Sequence, residues 1–188
     1  VTAPAHDRVF YDFEFLEDGH LIDPISFGAT TQGGASLYVV NGDLDEHRVA
    51  THPYLKEHVW PHLPVRPCKP GCRCMQAGLG HLDREHPDVR PLGQFRRTID
   101  AFMAAAGPAE LWADYGAYDH VALCQLYGPM AALPPYMPRF THDIQQEASR
   151  LGVTETELPQ SAPDGAHHAL HDAFLVYSRW RFLKGLPS

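Results

Sequence analysis

The stretch VFYDFEF, residues 9–15, sets two carboxylates, Asp12 and Glu14, into an apolar run. Side chains alternate along a strand, so these two share a face about 7 Å apart, while Tyr11, Phe13 and Phe15 point the other way, into a core. Carboxylates so placed repel each other and resist burial. A hard divalent cation between them, Mg²⁺ or Mn²⁺, removes that repulsion. A solvent-facing acidic pair on an edge strand accounts for the same residues without any chemistry.

Two further stretches carry groups of the same kind. ADYGAYDHVAL places Asp119 at the start of a helix, just after a short apolar strand, a junction where sites form in sheet proteins. The competing reading is an aspartate that complements the dipole of a first helical turn. HHALHDAF puts His167 and Asp172 at the opening of the last helix. Their spacing corresponds to about 140° of net rotation, so they do not stack on one face but can flank one cleft from a frayed helix start. With 13 histidines in the chain, a solvated helix-entry histidine competes for His167 or His168.

The elements that must position these groups follow from patterning. RVFYDFEFL, LIDPISFGATT and ASLYVVN, divided by EDGH and QGG, predict a meander of three antiparallel strands, the second starting irregularly at Pro24. PYLKEHVWPHL, residues 53–63, is a short helix opened by proline. Helical spacing returns in LGQFRRTIDAFMAAAG, with Phe95, Ile99, Phe102 and Met103 on one face and Gly107 as the stop. AELWAD is a brief buried strand, and YDHVALCQLYG a helix with Val121, Leu123, Cys124 and Leu126 inward. THDIQQEASRLG is a helix with Thr141 as cap and Gly152 as stop, and the last helix runs from about His167 to Leu183. Strands followed by helices define one mixed α/β domain over residues 1–188, helices packed on the sheet.

Composition narrows the class. A chain of 188 residues with 44% hydrophobic and 20% charged residues is an ordinary globular domain. No apolar run approaches the roughly 20 residues that cross a bilayer, and no leader is evident, so a cytoplasmic protein without membrane contact is expected. The net charge of −8 counts against a broad duplex-binding footprint. It leaves room for an enzyme that grips a few nucleotides, because bound cations offset acids in such a site.

As an ordered set, Asp-x-Glu in YDFEFLEDG, Tyr-Asp in LWADYGAYDHVALCQLYGP and His-x4-Asp in HHALHDA, with DPISFG between, resemble the three exonuclease motifs of the DEDD superfamily, His variant. Within it the sequence is most similar to the RNase T-like branch and its polyadenylate-specific RNase AS group. The likeness spans almost the whole chain outside the cysteine-rich segment. It implies an RNase H-like fold with a mixed five-stranded sheet, and two Mg²⁺ or Mn²⁺ ions held by Asp12, Glu14, Asp119 and Asp172. It also implies His167 as general base and a homodimer. Asp119, following Tyr118, matches the second motif's ligand in preference to Asp114. The implied reaction is 3′→5′ hydrolysis of single-stranded nucleic acid, RNA ahead of DNA, to nucleoside 5′-monophosphates. Phe13, Phe15, Leu16 and Tyr118 would lie against the 3′-terminal nucleotide. The rival readings are a non-catalytic nucleic-acid- or nucleotide-binding module on the same fold and a proofreading-type DNA exonuclease. Arg179, Arg181 and Lys184 read as a solvated basic end of the last helix.

Residues 64–91, rich in Pro, Gly, Cys and His, form an unusually long irregular insertion. Cys68, Cys72 and Cys74, with His81 downstream, offer a Cys₃His set for one structural Zn²⁺, or reduced thiols.

Overall fold

The computed structural model describes residues 7–72, 79–161 and 166–185. Aromatic and β-branched residues build β1 (Arg8–Glu17), β2 (Ile22–Thr31) and β3 (Ser36–Asn41), paired antiparallel as the expected meander. α1 (Glu46–Thr51) starts at Asp45, whose carboxylate accepts the Arg48 N–H. α2 (Pro53–His58) is shorter than the expected 53–63 helix and gives way to a 3₁₀ turn, Trp60–His62. Pro61 explains the break, since it lacks an N–H and disfavours helical backbone before it.

The 64–91 segment is not wholly irregular. β4 (Val65–Arg66) and β5 (His81–Leu82) form a separate antiparallel ribbon, and β6 (Val89–Arg90) runs parallel to β3. α3 (Leu92–Ala106) buries Phe95, Ile99 and Met103 as the spacing predicts and stops at Gly107. β7 (Glu110–Ala113) lies parallel to β1, and α4 (Ala117–Gln125) follows. β8 (His142–Asp143), α5 (Ile144–Leu151) and α6 (Ala169–Leu183) complete the chain. The mixed sheet has the order β6-β3-β2-β1-β7-β8. It therefore has six strands where five were expected, its two edges being two-residue strands.

Three local expectations are corrected. Val121 is exposed, because α4 turns Asp119, Ala122 and Leu123 inward. The cap of α5 is Asp143, which accepts the Gln145 and Gln146 N–H groups, rather than Thr141, because residues 142–143 are drawn out as a strand against β7. The last helix starts at Ala169, since His167 has φ 64°, outside the helical region. Among the described residues no helix is long and apolar enough to cross a membrane.

β1 divides the interior. Val9, Tyr11 and Phe13 join the core beneath α3 and α4. On the opposite face Phe10 lies beneath α6, its ring centroid 4.7 Å from Tyr177 and 5.4 Å from Trp180. Asp12 and Glu14 continue that second face past the apolar cover. Beside Asp12, its β2 partner Gly28 meets the start of α6 directly: a Cβ there would fall 2.1 Å from the Ala169 carbonyl carbon and from the Leu170 nitrogen. A glycine inside a strand here marks a close backbone approach.

Gly28→Ala should therefore push α6 off the sheet and destabilise the protein by about 1–3 kcal/mol or more. Urea unfolding checks this, and an unchanged midpoint contradicts the packing account.

Candidate active site

Asp12 and Glu14 reach one face by strand alternation, and Asp172 reaches it from the first turn of α6, seated by Gly28. Carboxylate oxygens of the three lie within 4.8 Å of one another. Such an all-oxygen set is the donor chemistry that hard divalent cations take. The trio lies in a cleft of about 570 Å³, walled by β1, α2 and α6, a size suited to a small ligand.

Asp119 stands beside the trio rather than in it. Pairing of β1 with β7 ends near Phe10–Trp112, and the chain then turns away through Tyr115, at φ 52°, into α4. The Phe13 N–H, left without a strand partner on that side, donates to Asp119 Oδ1 at 2.8 Å. Asp119 thus completes the edge of β1 while lying close enough to raise the proton affinity of Asp12.

Burial and mutual repulsion push all four acids toward the protonated form. Asp12 is raised well above the carboxylate range by burial, then by the charges of Asp119, Glu14 and Asp172. Burial, then Asp172 and Asp119, raise Glu14 to about 8. Asp119 rises to about 7 through burial, against the lowering pull of the Phe13 N–H. Asp172 rises to about 6, again through burial, opposed by the backbone N–H of His167. Among the described residues neither Asp12 nor Glu14 forms an ion pair, and the charged groups that act on them are acids.

His167 lines the same cleft. Its ring is edge-on to Tyr54, whose hydroxyl lies 3.2 Å from Nδ1 and 3.3 Å from Nε2. Burial, then His58 and His62, lower its proton affinity below that of a free imidazole. His168 instead stacks between Tyr38 and His171, at 4.1 and 4.3 Å. Positive φ at a histidine is uncommon and marks a position held by its surroundings.

The aromatic candidates separate. Phe13 borders the cleft, but its ring is buried against Phe27 at 4.7 Å. Phe15 keeps the expected side of β1, packing against the core of Tyr11 and Phe13, although the register with β2 shifts between Glu14 and Phe15. Phe15 also lines the cleft and stacks on the exposed Tyr118, centroids 6.0 Å apart and planes 9° off parallel. Leu16 lines the cleft while remaining mostly buried.

Several cleft residues escaped the sequence reading. Arg179 is buried, not solvated; it pairs with Asp114 and donates to the Pro159 carbonyl at 2.9 Å. Gln145 donates to the other Asp114 oxygen at 2.8 Å. Arg181 and Lys184 keep to the outer part of α6, Lys184 paired with Glu147 at 2.7 Å. His52, Tyr54 and Leu55 of α2 form the opposite wall, with nothing in PYLKEH but its opening proline to suggest a role. Away from the cleft, Cys68, Cys72 and His81 also come within 4.8 Å of one another, whereas Cys74 lies outside the described residues.

These features sit in a sequence with clear relatives. Over 178 residues the chain is 38% identical to the 3′-5′ exoribonuclease of Mycobacterium tuberculosis, in strain H37Rv and in strain CDC 1551 alike, covering 94% of this chain and 92% of those proteins. No protein-family model matches it. The chain belongs to this family of 3′-5′ exoribonucleases and is an enzyme.

Acids whose folded-state affinity for protons is raised hold protons that the unfolded chain releases, so they cost stability as pH rises. The loss should run from the ordinary carboxylate range through the raised values of about 6 to 8. In metal-free buffer Glu14→Gln should melt above the wild type by a margin that widens toward pH 8, and Mg²⁺ should raise the wild-type Tm more at pH 8 than at pH 5. A margin that shrinks with pH contradicts this.

Proposed function

We propose that this chain is a metal-dependent 3′→5′ exoribonuclease of the DEDD superfamily, His variant, close to the RNase AS group, releasing nucleoside 5′-monophosphates from single-stranded RNA. The observation that carries the reading is the convergence of Asp12, Glu14 and Asp172 within 4.8 Å, from two elements far apart in sequence. The relatives' name, 3′-5′ exoribonuclease, supports both the direction and the RNA substrate.

In this reading Asp12, Glu14 and Asp172, with Asp119 beside them, would hold two Mg²⁺ or Mn²⁺ ions. When bound, such ions polarise the attacking water and offset charge on the leaving 3′-oxygen. Asp119 also keeps β1 in place through the Phe13 N–H. His167, whose proton affinity burial lowers, takes the proton of the attacking water on a ring nitrogen. The Tyr54 hydroxyl orients that ring, and the α2 and α6 walls limit water to the reacting face. Phe15, extended by Tyr118, offers an aromatic face for the terminal base, and Leu16 lies against the sugar side. Such stacking tolerates any base, so an adenylate preference belongs to the resemblance alone, as does the homodimer.

Asp12→Ala should abolish digestion of a 5′-labelled oligoribonucleotide while melting cooperatively like the wild type. His167→Ala should lower turnover by roughly 10²–10⁴-fold. A gel ladder from poly(A), mixed-sequence RNA and single-stranded DNA reads direction and preference together. Wild-type turnover by Asp12→Ala contradicts the site, and wild-type protein that binds RNA without shortening it is a binding module.

A further inference from the structure

Among the described residues, one further group with metal-binding side chains lies outside the acidic cleft: Cys68, Cys72 and His81. It is built by backbone rather than by chance proximity. The β4–β5 ribbon sets His81 opposite Arg66, two residues before Cys68. Gly80, at φ 67°, makes that pairing possible, since a Cβ there would fall 2.6 Å from Val65 Cγ1. The chain then reverses at Gly71, at φ 85°, with the Cys72 N–H donating to the Lys69 carbonyl at 3.0 Å, and this turn brings Cys72 back beside Cys68.

The ring of His81 is held in the orientation that a ligand needs. Nε2 lies 3.0 Å from Cys72 Sγ, while Nδ1 lies 3.4 Å from Glu46 Oε2. A carboxylate on one ring nitrogen fixes the tautomer that offers the other nitrogen to a metal. Glu46 is itself anchored, accepting the Leu82 N–H at 3.2 Å and pairing with Arg84. Tetrahedral zinc bonded to thiolate and imidazole sets its donors about 3.6–3.8 Å apart. The observed 3.0 Å contact and the 4.8 Å limit bracket that spacing, so small side-chain rotations suffice.

We propose that Cys68, Cys72 and His81 form a structural zinc site that fastens the 64–91 insertion to α1 through Glu46. Two sulfurs and an imidazole suit a borderline-soft ion, in contrast to the all-oxygen trio, and they supply three of the four donors of a closed site. The insertion has little core of its own. Val65, Leu79 and Leu82 pack on the cluster that includes Val49, Leu55 and Trp60, and Trp60 Nε1 donates to the Leu79 carbonyl at 2.6 Å. Because α2 carries Tyr54, the zinc would brace the wall against which His167 rests. The site is independent of the nuclease reading, since its ligands and its metal differ from those of the cleft.

Elemental analysis of the purified full chain, after exchange into buffer with excess Mg²⁺, should give stoichiometric zinc. Cys72→Ser should lose it, and Asp12→Asn should keep it. Replacement by Co²⁺ should give a sulfur-to-cobalt charge-transfer band in wild type, Asp12→Asn and His81→Cys. Should Cys72→Ser fail to fold, the wild type and His81→Cys decide by that band. Zinc absent from the wild type, no thiolate band with cobalt, or zinc that disappears with Asp12→Asn but survives Cys72→Ser overturns the proposal.

Discussion

The contact of the α6 backbone with Gly28 is the constraint on which the rest depends. Only a residue without a side chain lets Ala169 and Leu170 sit directly on β2. That approach lays Tyr177 and Trp180 over Phe10, burying one face of β1, and carries Asp172 to Asp12 and Glu14. Packing and chemistry share a cause: the helix that seals the second core also delivers the third carboxylate. A helix held a side chain's width further away would weaken both.

The resulting electrostatics are unfavourable in the bare protein and informative for that reason. Elsewhere the fold pairs a buried charge, as with Arg179 and Asp114, and the Phe13 N–H only partly offsets the burial of Asp119. Among the described residues Asp12 and Glu14 have no ion-pair partner, and burial and neighbouring acids hold them toward protonation. Strongly perturbed carboxylates gathered in a cleft mark a candidate functional site.

Much of this was legible in the residues themselves. Alternation along VFYDFEF places Asp12 and Glu14 together whatever the tertiary fold, because strand geometry is local. The face of α3 and the strand status of AELWAD follow from spacing in the same way. What could not be read depends on non-local geometry. The register shift between Glu14 and Phe15 arises in the pairing of β1 with β2, where Ile25 is the extra residue. Val121 was misplaced because α4 rotates to deliver Asp119 to a backbone N–H more than a hundred residues away in sequence. Arg179 resembled a solvated cation because its partner, Asp114, lies on another element. The wall made by α2 gave no signal, since tyrosine and histidine on a short helix have no periodicity that marks a cleft.

The central claim, that Asp12, Glu14 and Asp172 together cage divalent cations, is tested most directly by anomalous diffraction from crystals grown with Mn²⁺ and a nucleoside 5′-monophosphate. The account predicts manganese peaks in direct contact with carboxylate oxygens of all three residues, beside the nucleotide phosphate and within reach of His167. Manganese bound only elsewhere, with the three carboxylates turned apart, would contradict it.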